Sequence, residues 1–458
     1  MARTRLLLFV LVWLSCVWFG SWALNPNNST RTFAAISLID GQRGRIDDYQ
    51  RLTIDKAQFD SHVYLDKAPG MTLLALPAAA AADRLSTRPP IPDTVWDPAF
   101  EHWMTERLRL AVATVSAILT ALAAVALYDL ALRTTGSASG ALFAATAFAL
   151  GTPVWGWSTT LFGHAPVADL FVIATWVLWR AGEERTGRFA ALAGAALGLA
   201  VLIEFQAVLA GSVVAVWGAA RLRTPRLLGI AAAAGAATLI VPFVAYNMIA
   251  FGTPVRLGYQ GVVGFAGMNE GLFGLTVPSL AVLSEIIVGL RRGIVWVAPI
   301  LIVAPFGLWQ LGKRQRGMAA MLAVAAIVVL LVNSAYVYWD GGHSTGPRHA
   351  IPAIGLLALG FAAFWAQTVY WWERAFALVL LGLSVAINLA IAAANITTPD
   401  TYRFPLWDPI LKTDWATGTL RTLPSDFLGW SPFAGVALYL ILAIPLAVLL
   451  VRSQPKGP

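Results

Sequence analysis

Long runs of apolar residues recur along the whole of this 458-residue chain, and they limit the folds open to it more than any other feature. Inside a bilayer, a run of about 20 apolar residues forms a helix, because a helix satisfies its own backbone hydrogen-bonding groups. Hydrophobic residues make up 58% of the chain and charged residues 12%, whereas a soluble domain carries about 25% charged residues. The sequence therefore predicts an all-α integral membrane protein in which residues 1–458 form one polytopic membrane domain.

Twelve of these apolar runs are predicted to be transmembrane helices. They cover residues 6–24, 107–132, 140–157, 164–179, 189–203, 205–220, 227–249, 294–312, 318–337, 349–369, 375–394 and 433–451. The first run follows a basic N-terminus and could also be a signal peptide, with a weak cleavage site in the triplet SWA at residues 21–23. Its length exceeds that of an ordinary signal-peptide core, which favours a retained span.

Lysine and arginine are concentrated in every second connection between these runs. The basic positions are Arg133, Arg180, Arg185, Arg188, Arg221, Arg223, Arg226, Lys313, Arg314, Arg316, Arg374, Arg452 and Lys456. Short basic loops stay on the cytoplasmic side, so both termini are predicted to be cytoplasmic, with the protein in a bacterial inner membrane. This pattern accounts for the net charge of +8, and no basic face with interleaved aromatic residues indicates nucleic acid as a partner.

The other set of connections forms the outer side of the membrane, where any chemistry is expected because the cytoplasmic loops are too short to hold a site. Three outer regions are long, at residues 25–106, 251–293 and 396–432. A fourth, with the sequence YWDGGHSTGPRH at residues 338–349, is short but rich in polar groups.

The apolar run Pro69–Ala82, inside the first outer region, is too short to cross the membrane. As a helix it reaches about 21 Å, whereas the hydrocarbon core is about 30 Å thick. If it crossed, every later basic loop would move outside, so it is predicted to re-enter the membrane or to lie in the interface. An amphipathic juxtamembrane helix is predicted earlier in the same region, starting at the cap-type residues Asn28, Ser29 and Thr30.

Charged and polar residues converge on the start of this half-helix. The residues directly before it include His62, Tyr64, Asp66 and Lys67, and the acids earlier in the region include Asp40, Asp47, Asp48 and Asp55. Singly, these are ordinary solvated loop residues. As a set they predict an anion site, because a helix N-terminus offers free N–H groups and Lys67 adds a charge suited to phosphate.

Two more outer clusters carry cations. His343, Arg348 and His349 lie at the mouth of a predicted span, where Arg348 suits a phosphate or carboxylate, or else reaches lipid headgroups. Two histidines without a carboxylate at fixed spacing are a weak metal signal, so hydrogen-bonding roles are predicted, with no metal and no other cofactor. Arg291 and Arg292 form an outer basic pair that suits either anionic lipid headgroups or a lipid-linked phosphate.

Three acids fall near the ends of predicted spans, Asp129 at an inner boundary and Asp169 and Glu204 at outer boundaries. Acids within membrane segments are candidates for function. At a boundary, a hydrogen-bonded structural role suits them at least as well.

Several motifs, taken in order, resemble one group of proteins. They are YLDKAPGMTLLALP with Lys67, GHAPVADLFVIA with His164, YNMIAFGTPVRLGY, RRGIVWVAPIL, and DGGHSTGPRHAIPA. They resemble the polytopic GT-C glycosyltransferases, specifically the bacterial relatives of dolichyl-phosphate-mannose protein mannosyltransferase and of the aminoarabinose transferase of lipid A. In that group a Lys-Pro-Pro-type motif precedes a half-helix, and Lys67 occupies the lysine position. The resemblance covers most of the chain and implies a GT-C-like fold of about 12 transmembrane helices.

The resemblance also implies an activity, the transfer of a sugar from a polyprenyl-phosphate donor to a glycan, lipid or protein acceptor on the outer face. A lipid-linked donor suits outward-facing polar groups, because nucleotide sugars and ATP are cytoplasmic. The residues expected to bind the donor phosphate are Lys67, Arg291, Arg292 and Arg348. Those expected to bind substrate are His62, Tyr64, Asp66, His164, His343 and His349.

The chain departs from this group at one important position. Those enzymes usually carry Asp-Glu just after the first span, where the Asp is the catalytic base or positions the acceptor, but this chain has Asn28 and Ser29 there. A carboxylate must accept the proton of the acceptor hydroxyl, so Asp48 or Asp55 is predicted to replace it, with Asp40 as a third candidate.

Two other functions fit parts of the sequence. A lipid or polysaccharide transporter would line a path through the membrane with polar residues, but few charges lie at mid-span. A GT-C scaffold protein that has lost catalysis would account for Asn28 in place of the acid.

Overall fold

The computed structural model describes residues 2–20 and 24–454, which are mostly helical. The first half contains α1 (Ala2–Trp18), α2 (Pro26–Ile39), α3 (Gly70–Ala82), α4 (Pro98–Ala111), α5 (Ala117–Thr135), α6 (Ala138–Leu150), α7 (Val154–Trp157), α8 (His164–Glu184), α9 (Gly187–Ile203) and α10 (Ala207–Leu222). The second half contains α11 (Pro225–Phe251), α12 (Leu280–Ile287), α13 (Ile294–Val297), α14 (Val303–Gly312), α15 (Arg316–Ala335), α16 (Ile351–Gln367), α17 (Trp371–Ala394), α18 (Trp415–Thr417), α19 (Leu423–Leu428) and α20 (Pro432–Arg452). The triplet SWA and Lys456 lie outside the described residues.

Among the described residues, every predicted transmembrane run overlaps a helix or a short series of helices, although α1 ends at Trp18 and residues 21–23 of the first run are not described. Seven helical stretches among the described residues are long and apolar enough to cross a membrane: Pro98–Thr135, His164–Glu184, Pro225–Phe251, Arg316–Ala335, Arg348–Gln367, Trp371–Ala394 and Pro432–Arg452. The other predicted spans correspond to α1, to α6 with α7, to α9, to α10, and to the stretch from α13 to α14. The prediction of an all-α integral membrane protein is confirmed.

Two predicted spans are interrupted, and proline accounts for both breaks. Pro153 separates α6 from α7, and Pro299 ends α13 before the chain continues through a 3₁₀ turn into α14. Proline has no N–H group for the helical hydrogen-bond ladder, and its ring restricts the residue before it.

The helix that holds the second predicted span begins at Pro98, well before residue 107. Asp97 caps it by accepting a hydrogen bond from the Phe100 amide at 3.0 Å. A π-helical turn at Val112–Ser116 joins α4 to α5, and the combined helix has 38 residues. At about 57 Å it is longer than the membrane is thick, so α4 extends into the outer region.

The juxtamembrane helix α2 also begins earlier than its sequence suggests. Asn25 is its cap and accepts a hydrogen bond from the Asn28 amide at 2.9 Å, while Pro26 occupies the first turn. Asn28 and Ser29 are therefore inside the helix, and both are fully buried.

Both ends of the half-helix α3 lie among residues of the predicted outer side. At its start, a Cβ on Gly70 would be 2.6 Å from the carbonyl oxygen of Leu202, near the end of α9. Just beyond its end, Asp83 pairs with Arg107 of α4, which also donates to the Ser86 hydroxyl at 3.2 Å. Both ends of α3 therefore contact segments that the basic loops assign to the outer side, and that the half-helix does not cross the membrane stays a prediction.

A small hairpin, not predicted from the sequence, precedes α3. Strands β1 (Ala57–Phe59) and β2 (His62–Tyr64) are antiparallel, and Asp60 turns the chain with φ of 54°. Ala57 also forms a bridge to Val262, which joins the hairpin to the second outer region.

The opposite end of the bundle gathers the basic loops and both ends of the described chain. Asp129 of α5 binds Arg5 of α1 and accepts a hydrogen bond from Arg133 at 2.9 Å. Thr4 donates to the carbonyl oxygen of Ser453 at 2.8 Å. Asp129 thus has the structural role that its boundary position allows.

Candidate functional site

One cavity lies where the predicted outer regions meet. It encloses about 1280 Å³ of empty space, part of it open to solvent. Its walls come from the first outer region, the start of α8, the turn between α9 and α10, the second outer region, the end of α15 and the loop before α16. Six residues predicted from the sequence to act at the site line it: Asp55, Asp66, Lys67, His164, Arg348 and His349.

The hairpin brings the acids and the lysine together. Asp55 lies just before β1 and Asp66 just after β2, so the antiparallel pairing places them side by side. The Lys67 ammonium nitrogen is 2.5 Å from Asp66 Oδ2 and 3.3 Å from Asp55 Oδ2. Lys67 therefore bridges two carboxylates at the cavity wall.

Burial and charge shift the protonation of this group. Burial raises the pKa of the Asp66 carboxyl and Asp55 adds to the rise, although Lys67 and Arg31 act in the opposite direction. Burial alone would lower the pKa of the Lys67 ammonium, but the two carboxylates raise it above its ordinary value. Lys67 is therefore firmly charged, while Asp66 is the member of the group closest to accepting a proton.

Arg348 reaches the cavity from the loop before α16. Its guanidinium carbon lies 4.9 Å from the centre of the Phe162 ring and 5.8 Å from that of Trp157, at cation–π distance. Its Nε is buried and has no hydrogen-bond partner among the described residues. Gly341, with φ of 75°, allows this approach, because a Cβ there would lie 2.7 Å from that Nε.

Two histidines lie beside Arg348. The rings of His164, the first residue of α8, and His349 are 4.8 Å apart at an interplanar angle of 77°. The His349 ring also packs edge-on against Tyr336 at 5.4 Å. These three aromatic side chains therefore form one contiguous polar cluster beside Arg348.

Glu204, at the turn between α9 and α10, also lines the cavity. It pairs at 3.3 Å with Arg31, a fully buried residue of α2 that also donates to Asn27 at 2.9 Å and to the Ala68 carbonyl oxygen at 3.3 Å. Burial raises the pKa of the Glu204 carboxyl, against the effect of Arg31 and the other nearby cations. Only glycine at position 163 leaves room for the Glu204 side chain, because a Cβ there would be 2.3 Å from the Glu204 carboxylate.

The second outer region and the end of α15 add aromatic groups that the sequence did not point to. The rings of Phe265 and Tyr338 meet edge to face at 5.7 Å, and the Gly267 amide donates to the Tyr338 hydroxyl at 3.0 Å. Burial raises the pKa of Tyr259 and Tyr336, which keeps both phenols protonated and able to donate hydrogen bonds.

The membrane-facing wall of the cavity is apolar. Val328, Val329 and Val332 of α15 and Leu209 and Ala210 of α10 line this part of the cavity. Leu209 lines the cavity and is nevertheless 43% exposed, so the wall continues to the outer surface of α10. The cavity therefore has a charged end and an apolar end, and one side chain of the apolar end, Leu209, is also exposed on the surface of α10.

The other predicted catalytic acids do not line this cavity. Asp48 is exposed in a 3₁₀ turn at Asp47–Tyr49. Asp40, at the end of α2, accepts two hydrogen bonds from Arg88, at 2.5 and 3.0 Å. Of the three candidate bases, only Asp55 is in position to contact a ligand held by Lys67.

Neither of the first-region residues His62 and Tyr64 lines the cavity. His62 binds Asp47 through Nδ1 at 2.7 Å, on the outer face of the hairpin. Tyr64 is buried and packs against Phe251, with ring centres 4.8 Å apart.

The outer basic pair has partners of its own. Arg291 pairs with Asp340 at 3.3 Å. Arg292 is fully buried and donates to the carbonyl oxygens of Asp340 at 2.9 Å and Gly342 at 2.5 Å. Burial lowers the pKa of Arg292 to about 10. Arg292 thus holds the loop that carries Arg348, and His343, in the same loop, is exposed outside the cavity.

Asn28, which replaces the expected acid, also lies outside the cavity. Its side-chain oxygen accepts a hydrogen bond from the Leu161 amide at 3.0 Å, and it is fully buried. The neighbouring Asn27 lines the cavity instead. Asn28 therefore links α2 to the turn before α8.

The structure also shows no group of three or more His, Cys, Asp or Glu side chains placed to hold a metal ion among the described residues.

The chain is similar to solved structures of membrane proteins, although not to any family model. No family model and no curated protein matches this sequence. Among solved structures, the chain is similar to ArnT from Cupriavidus metallidurans bound to undecaprenyl phosphate, with a TM-score of 0.48 and 15% identity, covering 98% of this chain and 72% of that one. ArnT is a GT-C aminoarabinose transferase.

Proposed function

We propose that this protein is a membrane glycosyltransferase that moves a sugar from a polyprenyl-phosphate donor to an acceptor hydroxyl on the outer face of the membrane. One observation carries the proposal: one cavity holds the cations Lys67 and Arg348 and the carboxylate of Asp55 together with apolar side chains of α10 and α15, of which Leu209 is also exposed on the surface. A ligand with a phosphate head and a long apolar chain matches both ends of this cavity.

The charged end suits the donor phosphate. Lys67 supplies a point charge from the first outer region, and Arg348 supplies a planar guanidinium from the other side. The buried Arg348 Nε without a hydrogen-bond partner is suited to a phosphate oxygen. The polyprenyl chain would extend along Val328, Val332 and Leu209 toward the lipid.

The chemistry requires one proton acceptor. The acceptor hydroxyl oxygen forms a bond to the anomeric carbon, and the bond from that carbon to the donor phosphate oxygen breaks, with its electron pair leaving on the phosphate. The hydroxyl proton passes to the carboxylate of Asp55, which acts as general base. The leaving phosphate is already stable as an anion and is held by Lys67 and Arg348, so it needs no strong general acid.

The remaining polar groups suit the sugar. His164 and His349 offer hydrogen bonds beside the cations, and the phenol of Tyr259 offers a donor, while the Tyr336 hydroxyl donates to Met268 Sδ at 3.4 Å. Aromatic side chains commonly bind through an apolar face combined with a polar tip, which fits a sugar ring with its hydroxyls.

The sidedness of the reaction follows from the basic loops. The cavity lies at the end of the bundle opposite Arg5, Asp129 and Arg133. With both termini in the cytoplasm, this end faces the periplasm of a bacterial inner membrane. A donor that reaches it must already have been moved across the membrane, as a polyprenyl-phosphate sugar is.

The proposal is tested by lipid and glycan profiling of a strain that lacks this protein. We expect a polyprenyl-phosphate sugar to accumulate and one glycosylated product to disappear. The wild-type chain should restore the profile and Asp55→Asn should not, although it reaches the membrane at the same level. Restoration by Asp55→Asn, or an unchanged lipid profile in the deletion strain, would argue against transfer at this site.

A further inference from the structure

Lys67 is not free to bind an anion in the structure. Its ammonium already binds Asp66 at 2.5 Å and Asp55 at 3.3 Å, and its side chain is only 20% exposed. A phosphate that binds Lys67 must therefore displace or compete with at least one of these carboxylates.

The site as a whole has no spare positive charge. Its ionised groups are the cations Arg31, Lys67 and Arg348 and the carboxylates Asp55, Asp66 and Glu204. With the two adjacent histidines neutral, three positive and three negative charges cancel. A phosphodiester would bring one further negative charge into a largely buried space, where an uncompensated charge is strongly unfavourable.

Asp66 is the carboxylate best placed to relieve this imbalance. Its side chain is 3% exposed, compared with 15% for Asp55 and 17% for Glu204. Its Oδ1 is buried and has no hydrogen-bond partner among the described residues. Glu204, in contrast, accepts a hydrogen bond from the buried Arg31 and has no contact with Lys67 that a proton would release.

We propose that binding of the anionic donor is coupled to the uptake of one proton by Asp66, which releases Lys67 from this carboxylate so that it can bind the phosphate. The inference rests on the proposed function and adds a role for Asp66 as a positioning residue that acts through Lys67. Asp55 keeps its contact with Lys67 and remains the proposed base.

The surroundings of Asp66 agree with this exchange. Lys67 and Asp55 face it from its own segment, Arg31 faces it from α2, and the phenols of Tyr259 and Tyr336 face it from across the cavity. Burial already raises the pKa of the Asp66 carboxyl. An anion close by raises that pKa further, because it disfavours the ionised carboxylate.

The direction of the pH effect follows from these shifts. Protons are taken up on binding when the pH lies between the pKa of Asp66 in the free site and its higher pKa in the occupied site. In that range the affinity of the site for the anionic donor increases as the pH falls, by up to about tenfold per pH unit. Above that range the affinity stays at its lowest value, since Asp66 is ionised in both states.

The test uses a phosphodiester probe, farnesyl methyl phosphate, whose own charge does not change between about pH 5 and 8, unlike a monoester with its second pKa near 6. Calorimetric titration of the full-length protein in two buffers of different ionisation enthalpy gives the number of protons taken up. We expect about one proton per probe bound to the wild type within the coupling range. This count needs no variant and so does not depend on whether a substituted protein folds.

Two variants assign the proton to its residue. Asp66→Asn should bind the probe with no proton uptake and with an affinity that is independent of pH and close to the low-pH affinity of the wild type. Asp60→Asn is the matched control, because Asp60 is exposed in the hairpin turn and Asn tolerates its positive φ, so it should behave like the wild type.

The outcomes separate this inference from the proposed function. Binding without proton uptake, or uptake that persists in Asp66→Asn and disappears in Glu204→Gln, would overturn the role of Asp66 and leave the lipid-phosphate site intact. A wild-type protein that fails to bind the probe at every pH would count against both.

Discussion

Individual cations in the outer regions differ in what surrounds them, and this difference decides which of them can meet a ligand. Arg292 and Arg348 both lie at outer helix ends and look equivalent in sequence. The Arg292 guanidinium donates to three backbone carbonyl oxygens, so its hydrogen-bonding capacity is largely used within the fold. Arg348 faces the cavity with a buried Nε that lacks a partner among the described residues.

The three candidate bases also differ in their surroundings, and this difference gives a prediction for Asp55. Changing Asp55 to Asn removes the proposed general base beside Lys67, so turnover should fall on the order of 10²-fold or more. Asp48→Asn and Asp40→Asn should change it by no more than a few-fold, since one is exposed and the other is bound to Arg88. Initial transfer rates of the three purified variants decide the assignment. A large loss in Asp48→Asn alone would contradict it.

The single residue Asn28 gives a second prediction. Asn28→Asp restores the acid usual in the enzymes that the sequence resembles, but the side chain is fully buried, outside the cavity and bound to the Leu161 amide. A carboxylate buried there should lower the melting temperature and bring no gain in turnover, because an unpaired buried charge is unfavourable. Thermal unfolding and transfer assays on the same sample check both parts. Increased turnover would show that Asn28 can reach the acceptor.

Among the structural elements, the ones that carry the site are held by close backbone contacts. The start of α3 packs on the backbone of Leu202, and this contact fixes the segment that carries Lys67. Residues Gly70, Met71 and Thr72 do not line the cavity, so donation by the helix start to a phosphate, expected from the sequence, gains no support from its position. The hairpin of β1 and β2 is what places Asp55 beside Asp66.

The peripheral helix α11 is attached by a close contact with α9. A Cβ on Gly194 would lie 1.9 Å from the carbonyl oxygen of Ala231, so the two helices touch backbone to backbone. Gly194→Val should force them apart and lower the unfolding free energy by about 1–3 kcal/mol. Gly229→Ala, in α11 with nothing within 4 Å of the added Cβ, is the control and should melt like the wild type. Equal melting temperatures for both variants would show that the contact is not tight in solution.

At the scale of the whole molecule, the two ends of the bundle are chemically distinct. Asp129 gathers arginines from several helices at one end, and the cavity occupies the other. Reporter fusions at Ser86 and Arg314 should therefore report opposite sides of the membrane, with Arg314 cytoplasmic. If both fusions report the same side, the topology is wrong.

The sequence predicts this architecture well because runs of apolar residues and the positions of basic loops depend only on local composition. It also points to Lys67, Asp66, Asp55 and Arg348, since charged residues at helix ends are visible in the sequence. It does not reveal that Arg31 supports Glu204 from 173 positions away, because that pairing depends on how α2 packs on the α9–α10 turn. For the same reason the burial of Arg292 and Tyr64 could not be read from neighbouring residues.

The central claim, that the cavity binds a lipid-linked phosphate through Lys67, is tested most directly by titrating the purified protein with a polyprenyl-phosphate sugar. A hydrogen bond to a charged group contributes about 1.5–3 kcal/mol, so Lys67→Ala should weaken binding about tenfold to a hundredfold, and Lys67→Arg should recover part of the loss. Lys56→Ala is the matched control, because Lys56 lies in the same region but binds the Gln50 carbonyl oxygen outside the cavity, and it should bind like the wild type. Unchanged affinity in a monodisperse Lys67→Ala protein would contradict the account.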